Sequence, residues 1–149
     1  MLTRRRILAA GAGVFAAAGF ASRAAAEDAA SLQKNLVESE LIYLTPIRTD
    51  GSDSRCQAEV WFVHHEADLY VVTATEAWRA QAIDRGLART RIWVGDVGQW
   101  GDSDGRYLEL PRIEAMASRV EDTESQNAVL DAMGSKYRIE WFVWGPRFR

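Results

Sequence analysis

With 21 acidic against 18 basic side chains in 149 residues, the chain carries a formal net charge of −3. That balance argues against a nucleic-acid binder, whose phosphate contacts need clustered Lys and Arg, and gives no attraction to anionic lipid. The lone Cys56 excludes an internal disulfide, so stability must come from packing, a ligand or a second subunit. Six Trp is a high count for this length and suits a core, a ligand wall or an interface.

The chain opens with a basic patch, Thr3-Arg4-Arg5-Arg6-Ile7-Leu8. It leads into a 14-residue apolar run, Leu8 to Ala21, built only from Ala, Gly, Leu, Val and Phe. Arg23 then precedes Ala24-Ala25-Ala26, a small-x-small site suited to a signal peptidase. Basic start, short apolar middle and small-residue exit are the parts of a secretory signal. Paired arginines before apolar residues point to the twin-arginine export machinery. The apolar run is shorter than the roughly 18–20 residues that span a bilayer comfortably. A retained anchor is the alternative to cleavage. The expectation is a signal peptide over 1–26 and one domain over 27–149, periplasmic or otherwise exported, with no membrane attachment after cleavage. The mature part would hold 14 basic and 21 acidic residues, net −7.

Ser31 to Glu40 reads as a short helix capped by Ser31. Leu41 to Arg48 reads as a strand, with Pro46 marking a bulge or an edge. Asp50-Gly51 signals a turn, and a strand follows over Gln57 to His64. After a tight connection at His65 to Asp68, Leu69 to Thr73 is the third strand. Thr75 is expected to cap a helix over Glu76 to Arg85, stopped by Gly86. Thr90 to Val94 is a fourth strand, and Gly95 to Gly105 a loop. Arg106 to Leu110 and Arg112 to Val120 read as strands separated by Pro111. Thr123-Glu124-Ser125-Gln126 has the form of a capping box before a helix that ends at Gly134. Tyr137 to Trp144 alternates, with Tyr137, Ile139, Trp141 and Val143 on one face, and is expected to close the chain as a strand. The fold class expected is mainly β with flanking helices: a small antiparallel split β-barrel of about six to seven strands.

Most polar clusters point to no chemistry. His64 and His65 are adjacent in a strand and face opposite ways, so they do not chelate one metal. Asp96, Asp102 and Asp104 lack the spacing and closing Glu of a calcium loop. No Gly-x-Ser-x-Gly elbow occurs, and nothing nearby activates Cys56. No metal is expected.

Several pieces occur in an order that resembles the flavin-binding split barrels related to pyridoxamine phosphate oxidase. They are Ile42-Tyr43-Leu44-Thr45, Asp50-Gly51, Val60-Trp61-Phe62-Val63 and Leu69-Tyr70-Val71-Val72-Thr73, then Thr90-Arg91-Ile92-Trp93-Val94. Ala115 to Asp122 and Lys136-Tyr137 are similar to the family's penultimate strand and its entry to the last one. The resemblance implies a homodimer that holds flavin mononucleotide (FMN) as its cofactor and acts on a small-molecule ligand. It implies binding residues Trp61, Val72, Thr73, Thr75, Arg79 and Arg91. The hydroxyls of Thr73 and Thr75 and the cations Arg79 and Arg91 suit a phosphate, and a Trp such as Trp61 suits a ring wall. Two departures stand beside this. Ala77-Trp78-Arg79 replaces the family's Ser and basic spacing along the helix, and Gly86-Leu87-Ala88-Arg89 replaces its Asn-Pro. Thr75 as a helix cap and Arg79 as a solvated side chain are therefore an open alternative. The two function classes are a flavin-dependent redox protein and a cofactor-free barrel serving as a binding or structural module.

Overall fold

The computed structural model describes residues 2–7, 20–144 and 146. In chain order its elements are β1 (Leu2–Ile7), α1 (Phe20–Glu38), β2 (Leu41–Pro46), β3 (Ala58–Trp61), β4 (Val63–His65), β5 (Asp68–Val72), α2 (Trp78–Asp84), β6 (Arg89–Val94), β7 (Arg112–Val120) and α3 (Thr123–Trp144). The strands form one sheet in the order β3-β2-β6-β7-β1-β5-β4, and every neighbouring pair is antiparallel. Leaving β1 aside, the other six fall into two sheets, β3-β2-β6-β7 and β5-β4. The expected β-rich class with flanking helices is therefore present. The two ends of the strand order are also neighbours in the chain, because only Phe62 separates β3 from β4.

Strand alternation sorts the core. Ile42 and Leu44 of β2, Leu69 and Val71 of β5, Ile92 and Val94 of β6 and Ala115 of β7 share one buried cluster with Phe62 and with Leu36 of α1. Trp78 of α2 packs against it. On the other parity, Tyr43 and Trp93 join Tyr107 in a second cluster, with the Tyr43 and Tyr107 rings stacked at 5.5 Å. A third cluster sets Val129, Leu130, Met133 and Tyr137 of α3 against Val63, Tyr70 and Val120.

Several local expectations are corrected. The first helix starts at Phe20, so Ser31 lies inside it and caps nothing. Pro46 marks neither bulge nor edge: it is the last residue of β2, opposite Thr90, where its missing N–H costs little. The strand expected over Gln57 to His64 breaks at Phe62 into β3 and β4. Arg106–Glu109 is a 3-10 turn instead of a strand. Gly105, at φ 79°, reverses the chain there, and the Ser103 carbonyl accepts from the Arg106 backbone N–H and Nε. The cap of α3 is Asp122, whose carboxylate accepts from Ser125 N–H at 2.7 Å, while Gln126 donates to Val120 O. A carboxylate one residue earlier outcompetes the Thr123 hydroxyl for the free helix N–H groups.

The largest correction is at the carboxy terminus. Gly134 does not end α3, and the expected strand over Tyr137 to Trp144 is helical, with a non-helical break at Arg138 (φ 32°, ψ −91°). Tyr137 explains the first part. It is buried with Leu130 and Met133 at helical spacing, and that burial outweighs the alternation, which was read from side chains further along.

Candidate functional site

Four of the six expected site residues fall between the end of β5 and the first turn of α2. Val72 ends β5 half-buried and packs against the cluster of Tyr70, Val120 and α3. Thr73 follows it and is buried at 2% exposure, with an Oγ1 that has no hydrogen-bond partner. Thr75 is exposed and donates to Glu76 Oε1 at 2.7 Å. It does not cap α2, which begins later, at Trp78, with Ala77 in the cap position and no side-chain cap. Arg79 sits in the first turn of α2. Its guanidinium carbon lies 6.0 Å from the Trp78 ring centroid, and its Nε is buried without a partner. Burial alone holds that guanidinium below its ordinary pKa. Trp61, the fifth residue, ends β3 and packs against the same cluster as Val72.

Arg91 stands elsewhere. On β6 it alternates with Ile92 and so faces away from the cluster that holds Trp78. Its guanidinium donates to Asp53 and, at 2.9 Å, to Glu114, which also accepts from Arg89 at 3.1 Å. These two cations hold the Glu114 carboxyl below its ordinary range. Arg91 is thus engaged by carboxylates on the outer face, although its Nε remains buried and unpartnered.

The break between β3 and β4 carries a second polar constellation, which the sequence reading missed. The Tyr137 hydroxyl accepts from Phe62 N–H at 2.8 Å and lies 2.7 Å from both Phe62 O and Glu40 O, to either of which it can donate. Lys136 Nζ donates to the same Phe62 O at 3.0 Å and sits 3.7 Å from the centroid of the Phe62 ring. The Trp61 and Tyr137 rings stack at 4.9 Å. The signal was present in Lys136-Tyr137, but it pointed to a strand.

Burial lowers the Lys136 amine to about 8, a shift that the carboxylates of Asp96 and Glu40 only partly oppose. Burial raises the Tyr137 phenol. The half-buried His64 is lowered by burial, and also by His65 and Lys136. The folded chain therefore binds the Lys136 proton less tightly than the unfolded chain does. Stability should rise from about pH 8 towards 10.5, the ordinary lysine value, where the unfolded chain alone is protonated. Tyr137 acts oppositely, since above pH 10 the unfolded chain loses that proton first. Replacing Lys136 by Met should remove a rise of about 1–2 kcal/mol between pH 8 and 10, after discounting for partial solvation. Urea unfolding at pH 7.5, 9 and 10 measures it, and equal slopes for K136M and the parent chain would contradict the assignment.

Next to this region, a cavity of about 370 Å3 opens between β4, β5 and α3. Val63, Tyr70 and Val129 in its lining belong to the cluster against which Trp61, Val72 and Ala132 pack. A larger groove of about 520 Å3 lies between α1 and the segment entering β7, lined by Leu32, Leu108, Leu110 and Pro111 among others. Among the described residues no group of His, Cys, Asp and Glu is arranged to hold a metal ion, and no helix is long and apolar enough to cross a membrane.

The chain matches no family model, no curated protein and no solved structure.

Proposed function

We propose that this chain is an exported split-barrel protein that binds flavin mononucleotide for redox chemistry, with the phosphate received at the β5–α2 connection. The observation that carries this reading is the pair of buried, unpartnered polar atoms there, Thr73 Oγ1 and Arg79 Nε. A buried hydroxyl and guanidinium nitrogen without partners each cost folding free energy, and an anion accepting from both removes that cost. Half-buried Trp61 and Val72 suit the ring system, and the cavity lined by Val63, Tyr70 and Val129 of the cluster they pack against offers space. The barrel reading is supported by the all-antiparallel pairing and by the chain link at Phe62, which joins β3 of the sheet β3-β2-β6-β7 to β4 of the sheet β5-β4. When bound, the flavin would supply the electron acceptor, and the protein would supply position and electrostatics. Arg91 is not assigned to the phosphate, because Asp53 and Glu114 already engage it. A homodimer is part of the proposal.

FMN titration followed by flavin fluorescence tests the reading. The parent protein should bind FMN well and riboflavin, which lacks the phosphate, much less. Arg79→Ala removes a charge-assisted pair of about 1.5–3 kcal/mol, so FMN affinity should fall about ten- to a hundred-fold. Equal binding of FMN and riboflavin would remove the phosphate site. The carboxylates around Arg91 favour one other reading, a cofactor-free barrel that serves as a binding module. Absence of binding by either flavin would select it.

A further inference from the structure

The arginine patch Arg4-Arg5-Arg6, which the export reading assigns to a leader, is also a strand in the middle of the sheet. β1 runs from Leu2 opposite Val72 to Arg6 opposite Asp68 on one side. On the other it runs from Leu2 opposite Val120 to Ile7 opposite Ala115. Cleavage after Ala26 would take this strand away. It would leave β5 and β7 two strand spacings apart, about 10 Å. Both would then face the gap with unpaired N–H and C=O groups, which a stable fold has to satisfy.

We propose that this position is used in turn by two segments of the same chain: the leader strand Leu2–Ile7 before processing, and the carboxy-terminal segment 139–144 after it. The second segment reads Ile-Glu-Trp-Phe-Val-Trp. It has the length of β1, and all of its residues but Glu140 favour strands. As a helix it is poorly served, because Phe142 is 85% exposed. The backbone already breaks before it, at Arg138, whose φ of 32° is unfavourable for a residue with a Cβ. The position of the break sets the direction of entry. Tyr137 packs in one cluster with Tyr70 and Val120, and these stand opposite Arg4 and Leu2 in the two ladders. A segment leaving Tyr137 therefore reaches the gap at its Leu2 end and runs in the direction of β1, antiparallel to both neighbours. Removal of the leader thus exchanges one central strand for another, and the sheet stays complete.

This inference rests on the export reading, and the two fail separately. The exported protein is purified and its mass measured; a start near Glu27 reports cleavage, and a full-length amino terminus would sink the export reading alone. Hydrogen exchange is then compared between the full chain and the processed chain. The expected result is slow exchange in 2–7 and fast exchange in 139–144 for the full chain. In the processed chain, 139–144 should slow by at least about ten-fold while β5 and β7 stay protected. A full chain carrying Arg4→Pro and Arg5→Pro, which cannot hold β1 in the ladder, vacates the gap without processing and should show the same slowing. Glu140→Pro falls in the first turn after the break, where proline is tolerated in a helix, so it should leave the full chain's melting temperature unchanged and lower that of the processed chain. Fast exchange of 139–144 in both the processed chain and the proline-bearing full chain would overturn the proposal.

Discussion

Phe62→Ala should cost about 3–5 kcal/mol, the range for deleting a fully buried aromatic ring. Phe62 has no exposed surface, and it is the single residue between β3 and β4. Its ring fills the cluster formed by β2, β5, β6 and α1 and carries Lys136 Nζ over it. Truncation therefore leaves a cavity and also removes the surface on which the ammonium rests. Phe62→Leu keeps most of the volume and should recover most of the loss. Denaturant unfolding of the two variants makes the comparison, and a loss below about 1 kcal/mol for Phe62→Ala would show that the cluster closes without the ring.

Tyr137→Phe should cost about 2–4 kcal/mol although it removes one oxygen atom, because that oxygen is the hydrogen-bond partner of buried backbone groups. Without it, Phe62 N–H loses its acceptor at 2.8 Å, and Phe62 O and Glu40 O lose a shared donor. The ring stays stacked on Trp61, so the variant isolates the polar contribution. The β3–β4 junction should exchange its amides faster while β6 and β7 remain protected. A variant as stable as the parent would mean that the junction does not depend on this hydroxyl.

How much was legible in the sequence differs by element. β2, β5, β6 and β7 were visible because their β-branched and aromatic residues are bounded by turn signals, and α2 ended where Gly86 adopts φ 82°. Thr73 and Arg79 stand near a strand-to-helix connection that the sequence made visible, and the structure leaves a buried atom of each without a partner. The partners of Arg91 were not legible, because Asp53, which engages its guanidinium, is distant in sequence. The Phe62 junction was not legible at all. It needs Lys136 and Tyr137 to arrive from a helix more than seventy positions away, and periodicity carries no trace of such a meeting. The carboxy-terminal segment failed differently. Two patterns overlap there, helical burial up to Tyr137 and alternation beyond it, and a window spanning both cannot separate them.

The ladder between β1 and β7 also sets an order of events in time. Leu2 pairs with Val120, a partner 118 positions away, whereas the hairpin of β4 and β5 closes through the two residues Glu66 and Ala67. Loop-closure entropy makes the hairpin fast and the long-range ladder slow. A nascent chain must emerge to about its middle before β5 offers the first strand a neighbour, and almost completely before β7 pairs with its other side. Until β5 forms, the arginine patch is therefore outside the sheet, and it is held on both sides only once β7 exists. The interval between translation and folding then acts as a clock, and slowing the formation of β5 and β7 would lengthen the time during which β1 stays unpaired.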